Sequence, residues 1–374
     1  MVVRLLHTAD WQIGKRFEYV GGDAAAILRQ QRLKTVDRIG QLALDEAVDA
    51  VLVAGDVFEV NTVSDDTVRK LLLTLAKYPV PFLLLPGNHD AATAGGVWSR
   101  IPALAPPEHV HLLLEPRPLT MPGFTVFPAP LRRRHEPEDC TSWFDDAPSP
   151  VGHLRIGLAH GCVQDRLPNR SANDNPISDR RASSARLDYL ALGDWHGTLQ
   201  IAERTWYSGT PESDSFRNND SGNVLLVEFE GASSPPRVQR KRTSTYRFRQ
   251  LECELSETSD LDALEAQLLA LEEPELSVCN LLLRGTLPVE AHASLSARLD
   301  PLRSRFFAAS IDDSNLAPRA CAHDLAELST GMVGEAVRTL LHIAEDPSHP
   351  ESEYASRALS ILVLEHRQLS RSMP

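Results

Sequence analysis

Short apolar runs recur along the first 230 or so residues, separated by stretches whose apolar side chains fall three and four apart. Val3 to Leu6 reads as a strand, and Val36, Ile39, Ala43 and Ala47 put a helix before Asp49. Ala50 to Ala54 forms a second strand, Val68, Leu71, Leu72 and Leu75 mark a second helix, and Phe82 to Leu85 is a third strand. This βαβαβ rhythm predicts a layered α/β domain with largely parallel pairing. Two later strands, Leu154 to Leu158 and Tyr189 to Leu192, flank a polar stretch from Gln164 to Arg186. That stretch is too long for a plain connector and reads as an element facing a substrate. Asn223 to Phe229 reads as the closing strand and Gly231 to Pro236 as a linker.

Beyond the linker the pattern gives a strand (Phe248 to Leu255), a helix (Leu261 to Leu271), a strand (Val278 to Arg284), a helix (Ala291 to Arg303) and a short strand (Phe306 to Ile311). These make a small α+β module. The remainder is helical: Leu328, Met332, Ala336, Leu340 and Ile343 form one stripe, and Tyr354, Ala358, Leu362 and Leu369 a weaker one. Asp346-Pro347-Ser348-His349-Pro350 separates them. Such a terminal pair either packs on its own domain or offers an apolar face to a partner. The expected domains are therefore 1–232, 245–315 and 320–374.

The chemistry lies where the strands end. Five apolar runs close in polar clusters: Asp10-Trp11-Gln12, Gly55-Asp56-Val57-Phe58-Glu59, Gly87-Asn88-His89-Asp90, Ala159-His160-Gly161 and Gly193-Asp194-Trp195-His196. In open parallel sheets, ligands gather outside the carboxyl ends of the strands. Singly, each cluster is an ordinary turn or a satisfied polar residue; five in order supply the carboxylate, amide and imidazole groups that hold two divalent ions. Asp56 is expected to bridge them, at the ~3.5–4 Å spacing suited to in-line displacement at phosphorus. Asp10 and His196 would complete one ion, with Gln12 as a weak amide-oxygen ligand; Asn88, His160 and Asp194 would complete the other. An oxygen-rich set with a few imidazoles favours Mn²⁺, Mg²⁺ or Fe²⁺ over a thiolate zinc site. Such a pair activates water against a phosphate ester. His89, beside Asn88, is expected to hydrogen-bond the transferring phosphoryl group or protonate the leaving oxygen. Glu59 would orient it, and Asp90 is the competing candidate.

Composition narrows the class. The 374 residues are 42% hydrophobic and 24% charged, an ordinary balance for a soluble globular chain. Five scattered cysteines without a CxxC pair suit a reducing cytoplasm. No signal peptide is read at the start, and no run approaches the roughly 18 apolar residues that would span a membrane. The net charge of −13 argues against coating nucleic acid by bulk attraction. Local basic tracks remain, at Arg237, Arg240, Lys241, Arg242, Arg247 and Arg249 and at Arg132-Arg133-Arg134, to be read as a nucleic-acid surface or as solvated loop charge. His109, His111, His135 and His153 fit no motif.

The order of clusters resembles that of calcineurin-like metallophosphoesterases. His7-Thr8-Ala9-Asp10-Trp11-Gln12-Ile13-Gly14 with Ala54-Gly55-Asp56-Val57-Phe58-Glu59 is similar to the SbcD nuclease subfamily and its bacterial YhaO-type relatives. The resemblance is specific over roughly residues 3–211 and architectural beyond. It implies a four-layer αββα catalytic domain, a small capping domain, and C-terminal helices that dock the coiled-coil base of an SMC-like ATPase. It also implies DNA as substrate, Mn²⁺ as the usual ion and a homodimer. His7 belongs to the opening motif as a supporting residue rather than a ligand. Trp206 to Pro211 is similar to the family's loop after the last metal motif, where Tyr207 and Ser208 either touch the DNA backbone or form a structural turn.

Two positions depart from the family, which has His where this chain has Gln12 and Asp194. A neutral amide oxygen is a poorer ligand than imidazole. A carboxylate binds a cation well but tempers its Lewis acidity. The expectation is a site that holds two ions, the one at Gln12 more weakly. The leading function is a metal-dependent DNA exonuclease or endonuclease, the nuclease subunit of an SbcCD-like repair or defence complex. A small-molecule phosphodiesterase or phosphatase and a metal-impaired scaffold for an SMC-like ATPase are the alternatives.

Overall fold

Parallel strands in the middle of a layered domain must be apolar on both faces, and the early runs meet that demand. The computed structural model describes residues 2–164, 166–167, 174–232, 234–328, 330–346 and 348–372. Its first strands are β1 (Val3–Thr8), β2 (Ala50–Val53) and β3 (Phe82–Leu84). Val51, Val53, Phe82 and Leu84 pack with Val36, Ile39, Val68 and Leu75 of the helices Gly22–Asp45 and Asp65–Leu75. The alternate residues Ala50, Leu52, Leu83 and Leu85 turn the other way, onto Phe124, Val126, Ile156, Leu158 and Tyr189 of a second sheet. The period of two in each strand thus feeds two separate cores.

The chain continues through β4 (Val110–Leu112), β5 (Leu119–Met121), β6 (Phe124–Ala129), β7 (Leu154–His160), β8 (Cys162–Val163) and β9 (Pro176–Ile177). Then come β10 (Tyr189–Gly193), β11 (Leu199–Ala202), β12 (Thr205–Tyr207), β13 (Asn223–Phe229) and β14 (Arg237–Arg242). One six-stranded sheet runs β14-β13-β1-β2-β3-β4, parallel from β1 to β4 and antiparallel at β13 and β14. The other runs β11-β12-β10-β7-β6-β5, parallel in its middle and antiparallel at both edges. The sheets stack face to face. Two long helices cover the first; the second is covered by the single turns Ser142–Asp145 and Arg181–Ser184, with Phe144, Leu187, Leu190 and Leu192 beneath. The result is the αββα sandwich of mixed sheets, with one outer layer thin.

Several strands of this unit lie where none was read. β4 and β5 are three residues each, and Thr125 and Pro128 interrupt the apolar run of β6. β14 extends the sheet past the expected closing strand; as an edge strand it carries Arg and Lys and no apolar alternation. The Gln164–Arg186 stretch contains β9 and the Arg181–Ser184 turn, while its residues 165 and 168–173 lie outside the described residues.

By its internal contacts the chain divides after Tyr246. The second unit, from Arg247, holds three parallel strands: β15 (Arg247–Leu255), β16 (Ser277–Pro288) and β17 (Ala308–Arg319). The helices Thr258–Leu269 and Val289–Arg303 are the crossovers, packing Leu261, Leu264, Leu295 and Leu299 on Cys279, Leu281 and Leu283. β17 outruns its apolar start because Asp312 and Asn315, both exposed to solvent, pair with Leu282 and Arg284 on either side of a shift in register. The helices Gly331–Ala344 and Ser352–Ser372 follow, joined through Val337, Leu359 and Val363. Among the described residues no helix is long and apolar enough to cross a membrane.

Leu52 is fully buried between the two sheets. Leu52→Ala is expected to cost ~2–5 kcal/mol in chemical denaturation; a cost below about 1 kcal/mol would mean that the sheet-on-sheet interface does not hold the unit together.

Candidate metal centre

The turns after β1 and β2 face the ends of β7 and β10 from the opposite sheet. There Asp10, Asp56 and His160, all buried, bring one ligand atom each to within 4.8 Å of one another. The three can hold a divalent ion. His160 Nδ1 lies 2.8 Å from the Ala54 carbonyl, so that nitrogen carries a proton and Nε2 is the one that can ligate a metal once it is deprotonated. Around Nε2 stand Asn88 Oδ1 at 3.3 Å, Asp56 Oδ1 at 3.5 Å and Asp194 Oδ1 at 3.8 Å. Five of the seven expected ligands therefore share one neighbourhood.

The backbone is strained to bring them there. Asp10 (φ 53°), Gln12 (φ 43°), Asp56 (φ 51°) and Asp194 (φ 98°) all adopt the left-handed region, at ~1–3 kcal/mol each. Main-chain bonds hold the first two turns side by side: Asp10 N donates to Gly55 O, Gln12 N to Asp56 O and Ile13 N to Val57 O, at 3.1, 2.9 and 2.9 Å. Two glycines permit the close approach. A methyl group on Gly87 would sit 2.1 Å from Asp56 Oδ1, and one on Gly55 2.2 Å from the His160 ring. The Asp56 carboxylate is aimed by the His89 N–H at 2.9 Å, and Asp10 by the Asp194 N–H at 3.2 Å.

Charge is concentrated here. Burial pushes the Asp10 carboxyl up to about 6, against the pull of His196 and His160. Burial opposes a charge on His160, but Asp56, Asp10 and Asp194 outweigh it and raise the imidazole to about 9. Asp90 is pushed up to about 8 by burial and by Asp56. Its oxygens accept the Phe58 N–H at 3.0 Å and the Gly87 N–H at 2.7 Å, and its carbonyl accepts the Trp98 indole N–H. Asp90 thus ties the turns after β2 and β3 together, with both carboxylate oxygens engaged away from the His89 ring. That ring, partly exposed, meets Glu59 through the main-chain carbonyl at 3.0 Å from Nδ1, and its Nε2 lies 4.0 Å from Asp56 Oδ2. The Glu59 carboxylate leaves Oε2 buried without a hydrogen-bond partner.

Gln12 and His196 lie beside this group, His196 close enough to Asp10 to pull on its carboxyl. Gln12 Nε2 is 3.2 Å from His196 Nε2, and Gln12 Oε1 accepts from Lys15 Nζ at 3.0 Å. His196 Nδ1 faces Asp214 Oδ1 at 3.3 Å, and Lys15 also reaches Asp214 Oδ2 at 2.8 Å. The two atoms that would ligate a second ion, Gln12 Oε1 and His196 Nε2, are taken up by Lys15 Nζ and by Gln12 Nε2. Among the described residues no further cluster of His, Cys, Asp and Glu could hold a metal.

Lys15, Arg32 and Asp214 belong to no motif and were not anticipated. Arg32 is almost fully buried, donating to the carbonyls of Trp11 at 2.6 Å and Asp10 at 3.2 Å and to Asp214 Oδ2 at 3.4 Å. One signal was present: Arg32 interrupts the apolar stripe of Leu28, Val36 and Ile39 on its helix. Burial opposes the charge of Asp214, but His196, Arg32 and Lys15 hold its carboxyl well below the usual range.

Tyr207 and Ser208 are fully buried; Tyr207 donates to the Gly161 carbonyl at 2.8 Å and accepts the Val163 N–H at 2.9 Å, so the structural reading of that loop holds. His7 is buried between Tyr189 Oη and the Leu192 carbonyl, and burial lowers it to about 3, a neutral supporting residue. In the basic track, Arg237, Arg240 and Lys241 pair with Glu228, Asp220 and Glu46.

Residues 3–227 match the calcineurin-like phosphoesterase family, and the chain belongs to that family. It is 39% identical over 95 residues to a subunit of the nuclease SbcCD from Rhodobacter capsulatus, covering 24% of this chain and 22% of that protein. It is 25% identical over 263 residues to the DNA double-strand break repair protein Mre11 of Methanosarcina acetivorans, covering 66% of this chain and 39% of the relative. To the corresponding SbcCD nuclease component of Bacillus subtilis it is 31% identical over 257 residues, 57% of this chain and 63% of the other. In each case the match spans less than two thirds of the relative's length.

Metal uptake is predicted to release protons. Without an ion, His160 is protonated below about pH 9 and Asp10 below about pH 6, and both must be deprotonated to ligate. The metal-free form binds more protons, so raising the pH favours the ion. Apparent affinity should rise about tenfold per pH unit between pH 6 and 9, more steeply below, and level off above. Calorimetry in buffers of different ionisation enthalpy reads the released proton directly; none released at pH 7 would contradict the ligand role of His160. Separately, Arg32→Ala removes the most deeply buried cation beside Asp214 and is expected to cost ~3–5 kcal/mol in denaturant titration.

Proposed function

We propose that this chain is a divalent-metal-dependent DNA nuclease that hydrolyses phosphodiester bonds as an exonuclease or endonuclease, acting as a homodimer beside an SMC-like coiled-coil ATPase in repair or defence. The observation that carries this reading is the convergence of Asp10, Asp56 and His160 on one buried point in a chain of the phosphoesterase family. DNA as substrate is supported by relatives named as SbcCD nuclease subunits and double-strand break repair proteins. Docking of an ATPase is supported by apolar side chains exposed on the terminal helices, Met332 at 90%, Tyr354 at 74% and Leu369 at 60%.

Asp10, Asp56 and His160 would hold the ion, with Asn88 and Asp194 beside them. This mixed oxygen and imidazole set suits Mn²⁺, and Mg²⁺ or Fe²⁺ share the preference. A bound ion supplies Lewis acidity toward a phosphoryl oxygen and makes water more acidic. The remaining work belongs to the chain. The His89 N–H fixes Asp56 through Oδ1, the oxygen that also faces His160 Nε2 at 3.5 Å. The His89 ring, anchored through Nδ1 to the Glu59 carbonyl, presents Nε2 at the open side of the site. There it would hydrogen-bond the phosphoryl oxygen or donate a proton to the leaving oxygen. A full dinuclear centre would add Gln12 and His196 around a second ion.

Linear duplex DNA incubated with Mn²⁺ should be degraded. Asp56→Ala should abolish cleavage, and His89→Ala should slow it by ~10²–10⁴ while leaving ion binding intact. Cleavage of nucleotides or aryl phosphates without cleavage of DNA would make the protein a small-molecule phosphoesterase. An ion-loaded protein that cleaves neither would be a scaffold.

A further inference from the structure

Four side chains beside the metal group close a ring of hydrogen bonds. Lys15 Nζ donates to Gln12 Oε1 at 3.0 Å and to Asp214 Oδ2 at 2.8 Å. Gln12 Nε2 meets His196 Nε2 at 3.2 Å, and His196 Nδ1 meets Asp214 Oδ1 at 3.3 Å. The directions are mutually fixed. Asp214 accepts only, so His196 Nδ1 carries the proton and Nε2 is left as an acceptor. Gln12 must then turn its NH₂ toward His196 and its oxygen toward the ammonium. The opposite amide orientation would set NH₂ against Lys15, donor against donor.

We propose that this ring closes the neighbouring metal position, so that the chain holds one divalent ion firmly at Asp10, Asp56 and His160 and admits a second only by breaking the ring. The inference rests on the metal-dependent reading above and assigns a role to Lys15 that no motif suggests. An ion at Gln12 and His196 would need the amide oxygen and His196 Nε2, the two atoms already engaged. Turning Gln12 to ligate would place its NH₂ before the Lys15 ammonium, which is itself anchored to the buried Asp214. A dication would also approach that ammonium. Histidine at position 12 would replace the amide oxygen with an imidazole nitrogen, a better ligand for the ion and a shorter, more rigid bridge between Lys15 and His196 than the amide. Lys15 and Gln12 are therefore positioning residues that set ion stoichiometry.

The test is equilibrium dialysis of the full chain against rising free Mn²⁺, with bound metal counted by elemental analysis and its environment read by electron paramagnetic resonance. The expected result is a plateau at one ion per chain, with the hyperfine lines of an isolated Mn²⁺ and a second ion roughly a hundredfold weaker or more. Gln12→His should take up two ions and give a spin-coupled spectrum. Lys15→Met, which opens the ring without adding a ligand, should tighten the second ion by a smaller factor. Two ions of similar affinity in the unmodified chain would overturn the proposal. So would Gln12→His and Lys15→Met both remaining, in folded form by circular dichroism, at a single ion. An unmodified chain that binds no ion would instead overturn the metal-dependent reading itself.

Discussion

Burying carboxylates together is the constraint around which this domain is organised. Asp10, Asp56, Asp90 and Asp194 lie at the carboxyl ends of its strands with 5% exposure or less. Like charges in a poorly solvated crevice repel, and each ionised group left without compensation costs several kcal/mol. The fold answers with positive charge from different elements. His160, from the second sheet, is drawn toward its cationic form by Asp56 and Asp10 from the first. Arg32 and Lys15 surround Asp214 nearby. A divalent ion at Asp10, Asp56 and His160 would meet the same demand with greater charge density. The two sheets are thus joined by apolar packing through their middle and by charge compensation at one end.

That end is also where the backbone departs from regular geometry. Left-handed conformations at Asp10, Gln12, Asp56 and Asp194 would be unfavourable in isolation. They persist because paired turns, the Gly87 and Gly55 contacts and the aimed N–H groups of His89 and Asp194 over-determine them. Local rules of strand and turn are broken where ligand atoms must converge, and obeyed in the cores on either side.

What could be read from the sequence follows the same division. β1, β2 and β3 were legible because strands buried on both faces need unbroken apolar runs. β4 and β5 were too short, β6 was interrupted by Thr125 and Pro128, and β14 is a charged edge. The Asp10, Asp56 and His160 group was legible because each residue closes such a run. Lys15, Arg32 and Asp214 were not, since their roles arise from contacts between residues up to 199 positions apart. Gln12 was marked as a departure from family pattern, but its partners exist only in three dimensions. The basic track showed its arginines in the sequence; only the fold shows that Glu228, Asp220 and Glu46 pair with part of it.

The central claim is that the buried Asp10, Asp56 and His160 side chains hold a divalent cation. Crystals grown with Mn²⁺ and measured on both sides of the manganese absorption edge test it most directly. The account predicts an anomalous peak within coordination distance of all three side chains. A map without a peak among them, or one showing Asp56 turned away from His160, would contradict it.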